Sequence, residues 1–394
     1  MKKQTLSTLA SLGLLAGLLS VYPSVAGAAD SVKLMVDDKE VSTGASAPFF
    51  VGDRVFVPVR TLTEALGATV TYDSGTDSAV ITKGDIMLKL DFQSGKVWKN
   101  GTLLTLDEQP RLVNYRAMVP VRFISETFGN AVTYDDVTQT VTVLPTQARL
   151  DERKSIQDLL KKSSQALQAK KSYTTDFTMK VTVPTESHGT FTMAPFLNSL
   201  QLKVDTQAQS KLQHVTGSVE ESIGHVKGTM DFELYRQDDT FYGLNPLSDN
   251  QWFKLMNAED DEGVWEGIRD AVNAVVMSPE QLQQFADLAP YATLKQDAAA
   301  NTVTYHLDPN GICKLLNTKR IDKEVQSFDL TLQFDKTSGL ETGYTADVHF
   351  DNSIPNPYIT LPTSFHAEGK LSNWDKVQAI AIPNDVLKNA VSAK

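Results

Sequence analysis

Cysteine is almost absent from this chain. Cys313 is the only one in 394 residues, so no intramolecular disulfide can form. Histidine is missing from the whole N-terminal part, the first being His188, which leaves that part without imidazole ligands for a metal. After Val21 no apolar run is long enough to span a bilayer. Basic residues are in deficit, 37 against 48 acidic, for a net charge of −11. That balance argues against nucleic acid or an anionic membrane as the main partner. No nucleophile elbow G-x-S-x-G, zinc motif H-E-x-x-H or glycine-rich phosphate loop is present. His188, His214, His225, His306, His349 and His366 form no i,i+2 or i,i+4 pair, and several sit in strand patterns, so they read as satisfied sheet histidines. The acidic run Glu259-Asp260-Asp261-Glu262 lacks the spacing of a calcium loop and suits a helix start. Cys313, between Ile312 and Lys314 on a short apolar helix, reads as a buried structural thiol. These absences point away from an enzyme, a metal or any other cofactor.

What is present begins with a leader. Lys2-Lys3, an apolar stretch from Leu6 to Val21, and Ala26-Gly27-Ala28 form a secretory signal over residues 1–28. Losing the two lysines takes the net charge from −11 to −13. No cysteine near the cleavage site offers a lipid anchor, and Leu361-Pro362-Thr363-Ser364 lacks the spacing of a cell-wall sorting signal. The expected location is secreted, released or held noncovalently at the cell wall.

The chain then repeats itself at an offset of 62 residues. Val57-Pro58-Val59-Arg60 is followed by Glu64, Gly67 and Val70-Thr71-Tyr72-Asp73; Val119-Pro120-Val121-Arg122 is followed by Glu126, Gly129 and Val132-Thr133-Tyr134-Asp135. Each copy reads as a hairpin, a strand ending at the proline, a two-turn helix (Thr61 to Leu66, Phe123 to Phe128) capped by glycine, and two further strands. A linking strand, 86–92, puts Ile86, Leu88, Leu90 and Phe92 on one face. The pattern resembles the copper amine oxidase N-terminal-like stalk domain over residues 32–144, common in exported Gram-positive proteins. The resemblance implies no copper chemistry, because the oxidase's copper and quinone site lies in another domain. Asn114-Tyr115 is rejected as a cofactor tyrosine, since Arg116 follows it inside the repeat. Arg60 with Glu64, and Arg122 with Glu126, are read as structural i,i+4 ion pairs in preference to a polyanion or glycan site.

Residues 145–152 read as a linker to a second domain, 150–394. Helical spacing runs through Ile156, Leu160 and Leu167, with Lys161, Lys162, Lys170 and Lys171 on a solvated side. Strand alternation follows at Phe177–Val183, Leu200–Val204, Val226–Leu234, Phe328–Phe334, Tyr344–Phe350 and Phe365–Leu371. A broad sheet with one apolar face needs a cover. Helices over 261–276, after the capping box Ser278-Pro279-Glu280-Gln281, and after Asp308-Pro309 can supply it. The layout resembles the lipoprotein-carrier half-barrel fold. Lys171-Ser172-Tyr173 and Tyr242…Trp252-Phe253-Lys254 are also similar to motifs of uncharacterised exported Gram-positive lipoproteins.

The fold class expected is α+β: an N-terminal β-rich tandem ββαββ repeat domain, then a C-terminal antiparallel curved sheet, an unclosed half-barrel with covering helices. The function expected is noncatalytic. The stalk presents a half-barrel that binds a lipid, a lipoprotein acyl chain or another apolar ligand, with Phe232, Trp252, Trp265, Phe285 and Phe334 lining an apolar cavity. The alternative is a cell-wall-associated interaction protein, bound to wall polymer or another envelope protein, whose second domain is packed solid.

Overall fold

The computed structural model describes residues 32–44, 47–182, 196–223, 226–238, 240–245, 251–255, 272, 278–315, 325–350 and 364–392. The leader, His188, His225, Trp265 and all of the expected helix over 261–276 except Val272 lie outside the described residues. The chain divides into two compact units, one of Pro23–Glu152 and one containing Arg153–Lys394.

The first unit is built from short hairpins. In chain order it contains β1 (Lys33–Val36), β2 (Lys39–Glu40), β3 (Phe49–Val51), β4 (Arg54–Pro58), α1 (Val59–Ala65), β5 (Thr69–Asp73), β6 (Ser78–Lys83) and β7 (Ile86–Asp91). The second half continues with β8 (Val97–Lys99), β9 (Thr102–Leu104), β10 (Arg111–Val113), β11 (Arg116–Pro120), α2 (Val121–Thr127), β12 (Val132–Asp135) and β13 (Thr140–Val143). Asn100-Gly101 closes one hairpin with φ of 49° and 83°, the left-handed pair that suits the twist of antiparallel strands. The two repeats meet where β4 pairs with β11. Val57 lies opposite Val119, its equivalent at the offset of 62, so the copies face each other across a local twofold. Each helix starts directly after the proline, two residues earlier than the sequence spacing suggested, because proline suits a helix entrance. Gly67 and Gly129 close them at φ of 72° and 82°. Leu62 and Ile124, again equivalent, are fully buried in the shared core with Val57, Val119, Leu88 and Leu90. Arg60–Glu64 and Arg122–Glu126 are both 3.8 Å apart and exposed. Exposed pairs of this kind contribute about 0.5 kcal/mol or less.

The second unit is one twelve-stranded sheet with helices against it. α3 (Gln147–Gln168) leads in, so the expected linker is already helical from Gln147. Next come β14 (Ser172–Thr182), β15 (Phe196–Gln207), β16 (Leu212–Ile223), β17 (Val226–Gln237), β18 (Thr240–Asn245), β19 (Gln251–Leu255), α4 (Pro279–Asp287), β20 (Ala292–Gln296) and β21 (Ala300–Leu307). α5 (Pro309–Leu315), β22 (Val325–Asp335), β23 (Glu341–Phe350), β24 (Ser364–Ser372), α6 (Asn384–Asn389) and β25 (Val391–Ser392) complete it. The spatial order is β20-β21-β22-β23-β24-β14-β15-β16-β17-β18-β19-β25. Every pairing is antiparallel except β19 with β25. Its two end strands, β20 and β25, do not pair with each other, so the curled sheet is an unclosed half-barrel and the class is α+β. The Ser278 cap forms as its spacing suggests: its hydroxyl accepts from the Gln281 amide at 3.2 Å, and the Gln281 side chain accepts from the Ser278 amide at 2.6 Å.

Candidate functional site

Strand alternation gives the large sheet one apolar face. A row across seven strands runs Leu332, Tyr344, Gly369, Phe177, Leu202, Gly217 and Phe232. Ile156, Leu160 and Leu167 of α3, Leu282 and Phe285 of α4, and Ile312 of α5 pack on this face in one continuous cluster. The two glycines let rings lie along the sheet. A methyl group at Gly217 would stand 2.6 Å from the Phe232 ring, and one at Gly369 would stand 2.2 Å from the Tyr344 ring. Bare backbone at these points produces a low aromatic floor.

Three of the five aromatic residues expected at a cavity belong to this cluster. Phe334 and Phe232 are on the inner face, with five strands between them. Phe285 packs on Tyr305 at 5.2 Å, and the Tyr305 hydroxyl donates to the Phe285 carbonyl at 2.9 Å. Trp252 stands elsewhere. Its partner across the ladder is Leu244, in register with Tyr242 and Tyr235 and opposite in parity to Phe232 and Leu234. It packs on Tyr235 at 5.8 Å, on the outer face, so it does not line the inner surface. Trp265 lies outside the described residues.

One end of the inner face is polar. Glu341 pairs with Phe334 and is buried, 2% exposed, and neither carboxylate oxygen has a hydrogen-bond partner. Burial pushes its carboxyl up to about 8. Nearby, burial pushes the Tyr173 phenol up to about 12, against a hydrogen bond with Thr206 that lowers it; Glu341 raises it and Arg236 lowers it. Burial first, then Glu341, raises the Tyr344 phenol. Arg236 donates to Gln213 at 3.3 Å, and Gln213 to Thr206 at 3.2 Å. The hydroxyls of Ser163 and Thr175, both fully buried, have no partner.

The outer face is polar and carries two grooves. One of about 530 Å³ is lined by Asp176, Lys203, Asp231, Glu368 and Lys370 among others. A second, of about 420 Å³, lies between His214, Tyr235, Lys203 and the segment 376–381. Histidines here pair across strands: His214 with Glu233 at 2.7 Å, His366 with Asp347 at 2.7 Å, and His306 with Asp329. Among the described residues no group of three or more His, Cys, Asp or Glu could hold a metal ion.

The Lys171-Ser172-Tyr173 motif holds the C-terminal segment. The Lys171 amide donates to Asp375 at 2.7 Å, the Asp375 amide donates to the Ser172 carbonyl at 2.8 Å, and Tyr173 packs on Trp374 at 5.3 Å. In the second motif Lys254 lies over the Tyr242 ring at 5.9 Å. Neither the strap of 373–392 nor Glu341 was singled out from sequence; a lone tryptophan flanked by Asn373 and Asp375 was the only local signal for the strap.

Residues 35–143 match the model of the copper amine oxidase N-terminal domain. Residues 155–391 match the model of a family of unknown function, DUF6612. No curated protein matches the chain. Among solved structures it is similar to LprF from Mycobacterium bovis, at 13% identity over 59% of this chain and 97% of that one, TM-score 0.32. It is also similar to the lipoprotein LppX of Mycobacterium tuberculosis, at 10% identity over 58% and 99%, TM-score 0.31. A DUF1329 family protein from Desulfovibrio piger matches at 11% identity over 58% and 95%, TM-score 0.23.

Proposed function

The chain belongs to a family of unknown function, DUF6612, and from its geometry we propose that it is a noncatalytic exported envelope protein whose C-terminal half-barrel binds a lipid or another apolar ligand. The supporting observation is the aromatic floor. An open-edged sheet with one apolar face, where Gly217 and Gly369 let the Phe232 and Tyr344 rings lie along the sheet, offers extended hydrocarbon an apolar surface. Burial of an acyl chain there supplies about 25 cal/mol for each Å² removed from water. Helices α3, α4 and α5 occupy the same face, so ligand entry means displacing part of that packing. In this reading the domain over 32–144 is the stalk. No helix among the described residues is long and apolar enough to cross a membrane.

The experiment is native mass spectrometry of the protein secreted from its host, followed by lipid extraction and a fatty-acid titration read by tryptophan fluorescence. A copurifying lipid and a saturating fluorescence change are expected. An empty protein that ignores added lipid sinks the reading.

A second reading, attachment of the stalk to cell-wall polymer, has one observation in its favour. Tyr115 is fully exposed at a hairpin tip with φ of 60°. A bulky residue in the left-handed region is disfavoured by local sterics, and here its ring gains no burial in return. A contact outside the chain would account for its presence. Pelleting with purified cell wall tests this.

A further inference from the structure

Among the described residues of the second unit, Glu341 is the most deeply buried acid, and neither of its oxygens has a hydrogen-bond partner. A buried carboxyl is normally satisfied by a cation or by several donors. Here both oxygens are unbonded. Its surroundings are set by the fold. Gly339, two residues before it, lies against the Lys162 stem, where an added Cβ would come within 2.9 Å of Cε. The next residue of α3 is Ser163, whose buried hydroxyl also has no partner. On the sheet side, Gly343 pairs with Lys370 and Leu371 pairs with Thr175, the third unpartnered group. The charge of Glu341 reaches the phenols of Tyr173 and Tyr344. α3, β14 and β23 therefore bring three unsatisfied oxygen groups to one end of an otherwise apolar face.

Resting on the reading above, we propose that Glu341, Ser163 and Thr175 form the polar pole of the half-barrel and hydrogen-bond an uncharged, hydroxyl-bearing headgroup of an amphipathic ligand. The neutral character follows from the surroundings. Two cations in these surroundings are already committed: Arg236 donates to Gln213 and to the Asp238 carbonyl, and Lys162 donates to the Thr337 carbonyl at 3.4 Å. A carboxyl held up to about 8 by burial is mostly protonated at pH 7, so it both donates and accepts. Two hydroxyls beside it do the same. A polyol matches that set; a headgroup that can only donate or only accept leaves part of it unsatisfied.

The test is calorimetric titration of the full mature chain, at pH 6.5, with a monoacylglycerol, an alkylamine and a fatty acid of equal chain length. The monoacylglycerol is expected to bind at least tenfold tighter than the other two. Glu341→Leu is expected to erase that preference while chain binding persists, and Glu341→Gln, which keeps a donor and an acceptor, to retain most of it. Equal binding of all three, or a preference that survives Glu341→Leu because water alone serves these atoms, overturns the proposal. Tightest binding of the alkylamine overturns it in favour of a cation site. Should Glu341→Leu fail to fold, Thr175→Val supplies the same readout with little change of shape. If the wild-type chain binds none of the three, the lipid reading itself has failed, an outcome distinct from a lost headgroup preference.

Discussion

Glu341 makes the second unit's stability depend on pH in a stated direction. Unfolded, its carboxyl titrates near the ordinary 4.5; folded, near 8. The penalty for burying it is absent below the first value, grows as pH rises between the two, and is complete above the second. Glu341→Gln should therefore flatten the fall in denaturation midpoint from pH 5 to pH 8, a difference of a few kcal/mol by the usual 1.36 kcal/mol per pKa unit. Parallel pH profiles of wild type and variant contradict it. Tyr115 yields a second prediction. Tyr115→Gly removes a side chain strained at φ of 60°, so the first unit should lose no stability and gain up to about 1 kcal/mol, measured by urea titration. If the ring serves the wall, pelleting falls in the same variant. The faces taken by Glu341 and Trp252 follow from strand register, each in its own way. Glu341 differs in parity from Tyr344, Ala346 and Val348 and so reads as outward. A bulge, where Gln333 pairs with Gly343 but Phe334 with Glu341, turns it inward. Trp252, expected among the aromatic residues lining a cavity, is put beside Tyr235 by strand register.

At the scale of elements, local rules and long-range contacts divide the work. The α4 cap is local: Ser278→Ala should cost about 1 kcal/mol in a denaturant titration of the second unit, and no change would mean that packing alone holds the helix. The strap is not local. Trp374 packs on Tyr173, which lies at the other end of the second unit in sequence, and Asp375 joins it to Lys170 at 2.9 Å. Trp374→Ala should cost about 2–3 kcal/mol and make 373–392 the first segment cut by protease. Protection equal to wild type would show that β25, paired with β19, is the stronger tether. Strands β16, β18, β19, β20 and β21 were not picked out from sequence; β18, β19 and β20 are only five or six residues long, too short for alternation to stand out.

For the whole molecule, the two compact units and the repeat boundary suggest that 32–144 and 150–394 fold as separate domains. Separate expression of each should give a cooperative melt, with the second retaining whatever ligand binding the full chain shows. A second piece that is soluble but lacks a cooperative transition would refute the division. Arg149 belongs with the first unit: it donates to Asp37 at 2.9 Å and to Glu152 at 2.6 Å, so a first piece ending at 144 lacks this anchor.

Periodic features were readable without coordinates. The 62-residue repeat, its glycine-capped helices, the Asn-Gly hairpin, the capping box and the long inner strands all depend on residues a few positions apart, where backbone sterics and alternation act directly. Position across the sheet was decided only in three dimensions. The pairings of β14 with β24 and of β19 with β25, and which buried oxygens were left unpaired, depend on contacts between residues more than a hundred positions apart; the bulge at Phe334 and Glu341 is a slip within one hairpin that alternation does not announce. Hydrophobic burial drives those contacts without direction, and a linear pattern does not encode their partners.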